Sequence, residues 1–331
     1  MTVKITKPAL NLREELSDLK KPTGIAGEAM LRAETPQEQQ ALIGVGRRNW
    51  IINGDFKVSQ RGAFTTASTY VSSTYYVDRW KGGVSGSFTK QHKLNQTLPN
   101  GQITNSFRVT STGGAYASIQ QYVEDYSVFS GQLVTFSFWA KTNKVGCSAS
   151  FYTIATQFDV VSDIVADEQW HYYKATALVP TGGTAMRPEV WTGTGSSSGD
   201  YLELAQVQLE LGKVATPFEH RSYGEELALC QRYFTQIKAG RIGGVINASG
   251  NGIVSHPVVL NMRASPSVGT GGTLPLYYMS GTSQVASTVS SITSSNGYTL
   301  NVIKADGNTG HGLSFWIDLT NANYLKFDAE L

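Results

Sequence analysis

Three sets of residues in this 331-residue chain could do chemistry: scattered histidines and cysteines, loop carboxylates, and aromatic side chains. The histidines are His92, His171, His220, His256 and His311, and none lies at i, i+2 or i+4 from another, so no local metal-ligating motif forms. Cys147 and Cys230, about eighty positions apart, match neither a disulfide framework nor a zinc spacing, and buried free thiols are expected. P-loop and H-E-x-x-H motifs are missing, and Gly193-Thr194-Gly195 and Gly269-Thr270-Gly271-Gly272 read as turns rather than phosphate cradles. Asp159, Asp163, Asp167 and Glu168 could pair across a groove as glycosidase carboxyls, but exposed loop carboxylates look the same in sequence. The expectation is a non-enzyme with no cofactor and no metal. The aromatics suggest more. Trp80, Trp139 and Trp191, with Tyr70, Tyr75 and Tyr76, lie in or beside segments that should have a solvent face, and an aromatic plane is what the C–H face of a sugar stacks on. Trp80, Trp139, Trp191 and Tyr76 are therefore the candidate carbohydrate-binding residues, although large aromatics also fill cores.

The elements that must carry these residues are mainly strands. Gly 34, Tyr 16, Phe 13 and Trp 6, with abundant Ser and Thr, describe a turn-rich β protein. Lys+Arg 27 against Asp+Glu 25, with 16% of residues charged, argues against nucleic acid or an anionic membrane as partner. The first residues carry charges throughout and no later segment approaches ~18 consecutive apolar residues, so no signal peptide or membrane insertion is expected and synthesis is placed in the cytoplasm.

From Trp50 to about Arg221 the pattern has period two. Val134, Phe136, Phe138 and Ala140 face one way and Trp139 stands among the polar residues facing the other. Comparable runs at Ser106 to Ser111, Ala117 to Val123, Ser148 to Ile154, Trp170 to Leu178 and Tyr201 to Leu211 predict a jelly-roll β-sandwich over residues 49–221. Within Tyr201 to Leu211 the apolar set changes parity, from Leu202 and Leu204 to Ala205, Val207, Leu209 and Leu211, which predicts a β-bulge near Leu204-Ala205.

Pro217 ends that run, and Ser222-Tyr223-Gly224-Glu225 is a capping box opening a helix through Leu227, Cys230 and Phe234. It predicts a connector at residues 222–236, leading to an all-β sandwich over 237–331. That region has five Lys/Arg, four acids and alternating segments at Gly297 to Val302, Leu313 to Leu319 and Tyr324 to Phe327. Residues 1–48 stand apart. Leu12, Leu16 and Leu19 form one narrow apolar stripe on a short helix, and Thr35-Pro36-Gln37-Glu38 caps a second. Helices without a core of their own are either a packed-down arm or an oligomerisation and docking segment. Eight Lys/Arg and six Asp/Glu in that stretch favour the second.

An ordered series of motifs then carries a resemblance over nearly the whole chain. Asn49-Trp50-Ile51-Ile52-Asn53-Gly54-Asp55-Phe56, Gln60-Arg61-Gly62, Tyr76-Val77-Asp78-Arg79-Trp80, Val207-Gln208-Leu209-Glu210-Leu211-Gly212 and Ala215-Thr216-Pro217-Phe218-Glu219-His220-Arg221 resemble tail fibre and other receptor-binding proteins of tailed bacteriophages. Cys230-Gln231-Arg232-Tyr233-Phe234 and Phe327-Asp328-Ala329-Glu330-Leu331 are similar to the same group. The resemblance implies a carbohydrate-binding-module-like central domain in a homotrimeric virion tail component. Its N-terminal segment would dock to other tail proteins, and its distal domain would meet host polysaccharide or lipopolysaccharide. Rival readings are a structural tail part that binds only virion proteins and a glycan-degrading tailspike. Modules of this kind often hold a structural calcium, but this sequence has apolar residues near Leu204-Ala205 where an acid would be expected, despite Asp55.

Overall fold

A computed structural model describes residues 48–153, 157–246, 252–255, 262–280, 283–295, 299–304, 314–320 and 322–330. The helical segment expected at the N-terminus, with Leu12, Leu16 and Leu19, lies outside the described residues.

Nine strands build the first unit: β1 (Ser68–Tyr70), β2 (Lys81–Thr97), β3 (Ile103–Gln120), β4 (Leu133–Thr142), β5 (Ser148–Tyr152), β6 (Gln157–Val161), β7 (His171–Leu178), β8 (Arg187–Trp191) and β9 (Tyr201–Leu211). Their order is β6-β5-β8-β3-β9-β4-β7, with β2 on β3 and β1 on β2. The path folds into two layers because β2 and β3 each belong to both. Ser118–Gln120 of β3 pairs with β8, whereas Phe107–Thr110 pairs with β9. Between these halves the β2–β3 register shifts at Ser85/Gly86 and Ser87/Phe88. Gly86 has φ 89°, and a Cβ there would stand 2.3 Å from the Gly114 Cα. Two backbones approach that closely only where one residue lacks a side chain, and a crossing of this kind turns a sheet into a jelly roll.

The alternation read from β4 holds. Val134, Phe136, Phe138 and Ala140 are buried, while Trp139 and Lys141 stay half-exposed. The layers meet where Phe136 of β4 lies 5.6 Å, centroid to centroid, from Phe151 of β5, inside one apolar cluster with Phe56, Phe107, Phe129 and Val190.

The parity change in β9 produces a bulge one to two residues beyond the predicted point. Ser137 pairs with Gln208 and Trp139 with Ala205, so Gln206 and Val207 together oppose Phe138. Gln206 takes φ 47° there. The N-terminal motif fits this bulge. The Val207 N–H donates to the Gly54 carbonyl at 2.8 Å, and a Cβ on Gly54 would lie 2.1 Å from the Val207 oxygen. Asn49 Nδ2 donates to the Val207 carbonyl and its Oδ1 accepts from Leu209 N–H, at 3.2 and 3.1 Å. Val207 and Leu209 then point inward, and Gln208 and Glu210 point outward under the chain that follows. There Glu210 accepts from Thr216 N–H at 3.0 Å, and Gln208 Oε1 accepts from Glu219 N–H at 2.8 Å.

The sheet stops at Leu211. Ser222 caps helix α1 (Tyr223–Gln231), its hydroxyl accepting from Glu225 N–H at 3.2 Å. The helix is shorter than the sequence suggests: Phe234 already begins β10 (Phe234–Ile237). Glu226 on α1 accepts from Asn53 N–H at 2.6 Å and pairs with buried Arg221 at 3.2 Å.

Where a second sandwich is expected, strands β11 (Gly240–Ile246), β12 (Gly252–Ser255), β14 (Pro275–Ser280), β15 (Ser283–Ser295), β16 (Thr299–Lys304) and β17 (Ser314–Leu319) close into a barrel, in the order β11-β12-β16-β15-β14-β17. Strands β10, β13 (Ser267–Gly271) and β18 (Tyr324–Asp328) form a small sheet beside it, ordered β10-β18-β13. The all-β character holds; the layer arrangement is a barrel, which leaves six strands without free edges.

The second unit is clamped to the first as well as tethered. Arg79, 1% exposed, pairs with Glu330, donates to the Tyr122 carbonyl at 2.6 Å, and lies 3.5 Å over the Tyr233 ring. Arg61 reaches Asp78, Asp328 and Glu330, each at 3.3 Å. Burial pushes the Asp78 carboxyl up to about 6, although Arg61 and the Gln60 amide favour its charged form.

Candidate functional site

The four aromatics singled out from sequence separate into two pairs. Trp80 is 3% exposed, its ring tilted 35° against Phe56 at 4.8 Å, and its indole N–H donates to the Asn53 carbonyl at 2.8 Å. Tyr76 is 5% exposed, packed 5.0 Å from Tyr70 with its hydroxyl donating to the Val71 carbonyl at 2.9 Å. Neither ring offers a face to a sugar, which corrects the expectation for both. The physical cause is the turn between them: Trp80 N–H closes onto the Val77 carbonyl, and Tyr76–Trp80 tucks under the layers before β2 begins. Trp139 and Trp191 remain, on the outer faces of opposite layers.

Trp191 ends β8, whose alternate residues Arg187, Glu189 and Trp191 share one outward face by the two-residue period of a strand. Across from them stand Ser118 and Gln120 of β3, paired with Trp191 and Glu189 respectively. Tyr116 continues the β3 row and meets Trp191 edge-to-face, with centroids 6.1 Å apart at 80°. The result is a groove of about 380 Å³, bounded at one side by Ser72 and Ser73. Gly83 of β2 keeps it open, because a Cβ at that position would lie 2.4 Å from the Ser118 Oγ.

The polar groups of the groove are fixed before any ligand arrives. Arg187 pairs with Glu189 at 3.0 Å, donates to the Tyr122 hydroxyl at 3.3 Å, and lies 4.4 Å over the Tyr152 ring. Glu189 accepts from Ser150 at 3.2 Å, and the Trp191 indole N–H donates to the Ser148 hydroxyl. A planar ring flanked by a guanidinium, a carboxylate and the Gln120 amide suits a polyol. The ring takes an apolar face, and the fork-shaped groups each serve two neighbouring hydroxyls. Among the described residues, Glu189 is the one carboxylate that lines the groove, whereas glycoside hydrolysis uses a pair. Of the loop carboxylates considered from sequence, Asp167 binds His171 at 2.9 Å on the surface, and Glu168 lies 3.5 Å from the Tyr201 hydroxyl.

The groove residues other than Trp191 are not apparent in the sequence because Pro188 interrupts Arg187-Pro188-Glu189-Val190-Trp191, and a proline ordinarily argues against a paired strand. Here Pro188 still accepts, from Gln121 N–H at 3.2 Å. The outward spacing of Arg187, Glu189 and Trp191 is the signal that could have revealed the site.

At Asp55, the acid considered for a structural calcium, Oδ1 is buried without a hydrogen-bond partner and Oδ2 faces an ammonium. Lys57 sits 3.0 Å from Asp55 and donates to the Arg221 carbonyl, so an ammonium already neutralises that carboxylate. Among the described residues no three His, Cys, Asp or Glu side chains are grouped to hold a metal ion. Cys147 and Cys230 are buried free thiols, and burial pushes both up in pKa.

No protein-family model matches the chain, and no curated protein does. Among solved structures it is similar to the enzymatically active domain of tailspike protein 4 of bacteriophage CBA120, at 20% identity and TM-score 0.35, over 49% of this chain and 21% of that one. It is also similar to the CBM22-1–GH10 modules of a Clostridium thermocellum xylanase, at 16% identity and TM-score 0.34, over 51% of this chain and 29% of that one. The CBM22-1 xylan-binding domain of Paenibacillus barcinonensis Xyn10C matches at 14% identity and TM-score 0.33, over 46% of this chain and 99% of the domain. Likenesses this distant carry no argument about activity, and the fold assignment rests on strand order and packing.

Proposed function

We propose that the chain is a non-catalytic tail fibre or receptor-binding protein of a tailed phage, which attaches the virion to its host by binding a surface polysaccharide or lipopolysaccharide. It assembles in the host cytoplasm as a homotrimer. Residues 1–48 dock it to other tail proteins. The observation that carries this reading is the groove of Trp191, Tyr116, Arg187, Glu189 and Gln120: an aromatic platform flanked by pre-paired polar groups on a rigid sheet. The ordered motifs from Asn49 to Glu330 support the phage assignment by resemblance.

The test is binding of the full chain to lipopolysaccharide and capsular polysaccharide purified from a panel of bacterial strains. Saturable binding to one of them, weakened about tenfold by Trp191→Ala, is the expected result, since a lost aromatic stack and its burial amount to ~1–2 kcal/mol. No binding to any polymer would leave a structural tail part as the better reading. Shortening of the polymer would make the protein a depolymerase. Light scattering tests the assembly: deleting residues 1–46 should lower the mass or abolish incorporation into tails, and an unchanged, attaching trimer would overturn the docking role.

A further inference from the structure

The half-exposed Trp139 stands in different chemistry from Trp191. Trp139 of β4 and Tyr172 of β7 are direct cross-strand partners, so their side chains share the outer face of the layer opposite the Trp191 groove. Their ring centroids are 5.4 Å apart at 50°, and Tyr172 is 44% exposed. The chain after β9 crosses this face and raises Phe218 as a wall, leaving a cavity of about 340 Å³. That wall is pinned from beneath: Gln208 Nε2 donates to the Thr216 carbonyl at 3.2 Å, and the Thr216 and Glu219 N–H groups donate to Glu210 and Gln208.

The polar side of the cavity comes from the bulge. Gln206, a non-glycine residue at φ 47°, donates from Nε2 to the Gln102 Oε1 at 2.8 Å, which places two primary amides together at the rim. Each amide keeps further donor or acceptor capacity, and Ser137 adds a hydroxyl. Among the described residues no charged side chain lines the cavity, whereas Arg187 and Glu189 line the groove on the other layer. Three rings and three amides, those of Asn100, Gln102 and Gln206, with no charge complement an uncharged polyol that has an apolar face. They supply no positive charge to pair with a carboxylate or phosphate. A strained backbone position that aims a polar group into a cavity is also where function is commonly found.

We infer that this cavity is a second, separate binding site, for one or two units of a neutral pyranose, with Trp139 and Tyr172 as the platform and Gln206 and Gln102 reading vicinal hydroxyls. The two sites sit on opposite outer faces of one sandwich, so a single chain can hold two glycan strands, or two stretches of one, at once. The inference shares with the proposed function the premise that sugars are the ligands, but it stands on its own residues.

Fluorine NMR of the full chain carrying fluorotryptophan tests it, with Trp139→Phe and Trp191→Phe assigning the two signals. The probes are methyl β-glucoside, methyl β-galactoside, methyl α-mannoside and methyl β-xyloside, each titrated to about 50 mM, with methyl glucuronoside as the charged comparison. At least one neutral glycoside should move the Trp139 signal saturably, and Gln206→Ala should weaken that binding about tenfold while Trp191→Ala changes it less than about twofold. A Trp139 signal unmoved by all four neutral glycosides, or moved by the glucuronoside alone, overturns the site. A shift abolished by Trp191→Ala overturns its independence. Loss of polysaccharide binding in Trp191→Ala with a silent Trp139 sinks only this inference, and the converse pattern sinks only the groove.

Discussion

Replacing Glu330 with alanine should separate the two units energetically. The Glu330 side chain is 3% exposed and pairs with the Arg79 guanidinium, itself 1% exposed, and with Arg61 at 3.3 Å. Removing one partner of a buried pair leaves an uncompensated charge, which costs about 3–5 kcal/mol. Two features pull the value towards the lower figure. Arg79 keeps the Tyr122 carbonyl at 2.6 Å and the Tyr233 ring at 3.5 Å, and the loss of Glu330 relieves its repulsion of the buried Asp78 carboxylate. The expected loss is therefore about 3 kcal/mol, against a total stability of order 5–15 kcal/mol for a folded domain. Glu330→Gln, which keeps an acceptor, should lose about half as much. Urea unfolding at pH 7 followed by tryptophan fluorescence measures this, read transition by transition because two units need not melt together. The double replacement Arg79→Met with Glu330→Leu should be milder than Glu330→Ala, because it removes both charges. A loss below about 1 kcal/mol for Glu330→Ala, or a double variant worse than the single, would refute the buried clamp.

The Asp78 carboxyl, raised from 3.8 to about 6, holds its proton more tightly in the folded chain; its stabilising term is complete below about pH 4 and is lost as pH rises to about 6. About two units amount to ~3 kcal/mol, so Asp78→Asn should flatten the fall in stability across that window relative to the parent chain, measured by urea titration at several pH values; an unchanged slope would contradict the assignment. Gly54→Ala drives a Cβ to 2.1 Å from the Val207 oxygen, a backbone atom of the bulge, and should cost about 3 kcal/mol or prevent soluble expression; a thermal shift of less than a few degrees would show that the bulge can move. Ser222→Ala removes the helix cap at Glu225 and should cost about 1 kcal/mol in the same unfolding assay, with no change in glycan binding.

How much was legible in the sequence follows from the range of the forces involved. The alternation in Val134 to Lys141 and the capping box at Ser222 are local, and both are read correctly because neighbouring residues decide them. The bulge in β9 is visible as a parity change, but its position is set by Gly54 and Asn49, more than 150 residues away, and so falls at Gln206-Val207 rather than Leu204-Ala205. Trp80 and Tyr76 look like surface aromatics because nothing local reveals that a tight turn folds them under two layers. Trp191 is found and its partners are not, since Pro188 disguises β8. Much of what carries the family resemblance turns out to be scaffold: Asn49, Asn53, Gly54, Arg79 and Arg221 hold bulge, turn and helix together and none lines the Trp191 groove, whereas Ala215 to Phe218 wall the cavity beside Trp139.

The long reach of that scaffold also dictates when the sandwich can form during synthesis. Asn53 waits for Glu226, 173 positions later, and Arg79 waits for Glu330, 251 positions later. Until the ribosome has released Glu226, the segment around Asn53 lacks the partner that fixes it over the core built from Ile51 to Leu209. Contacts of such sequence separation slow folding and prolong the exposure of unpaired strands. Pulse-labelled, arrested nascent chains ending before Glu226 should remain protease-sensitive throughout residues 48–211, and those extended past it should acquire a resistant core in one step. The opening motif of the chain is thus among the last of its segments to find its place.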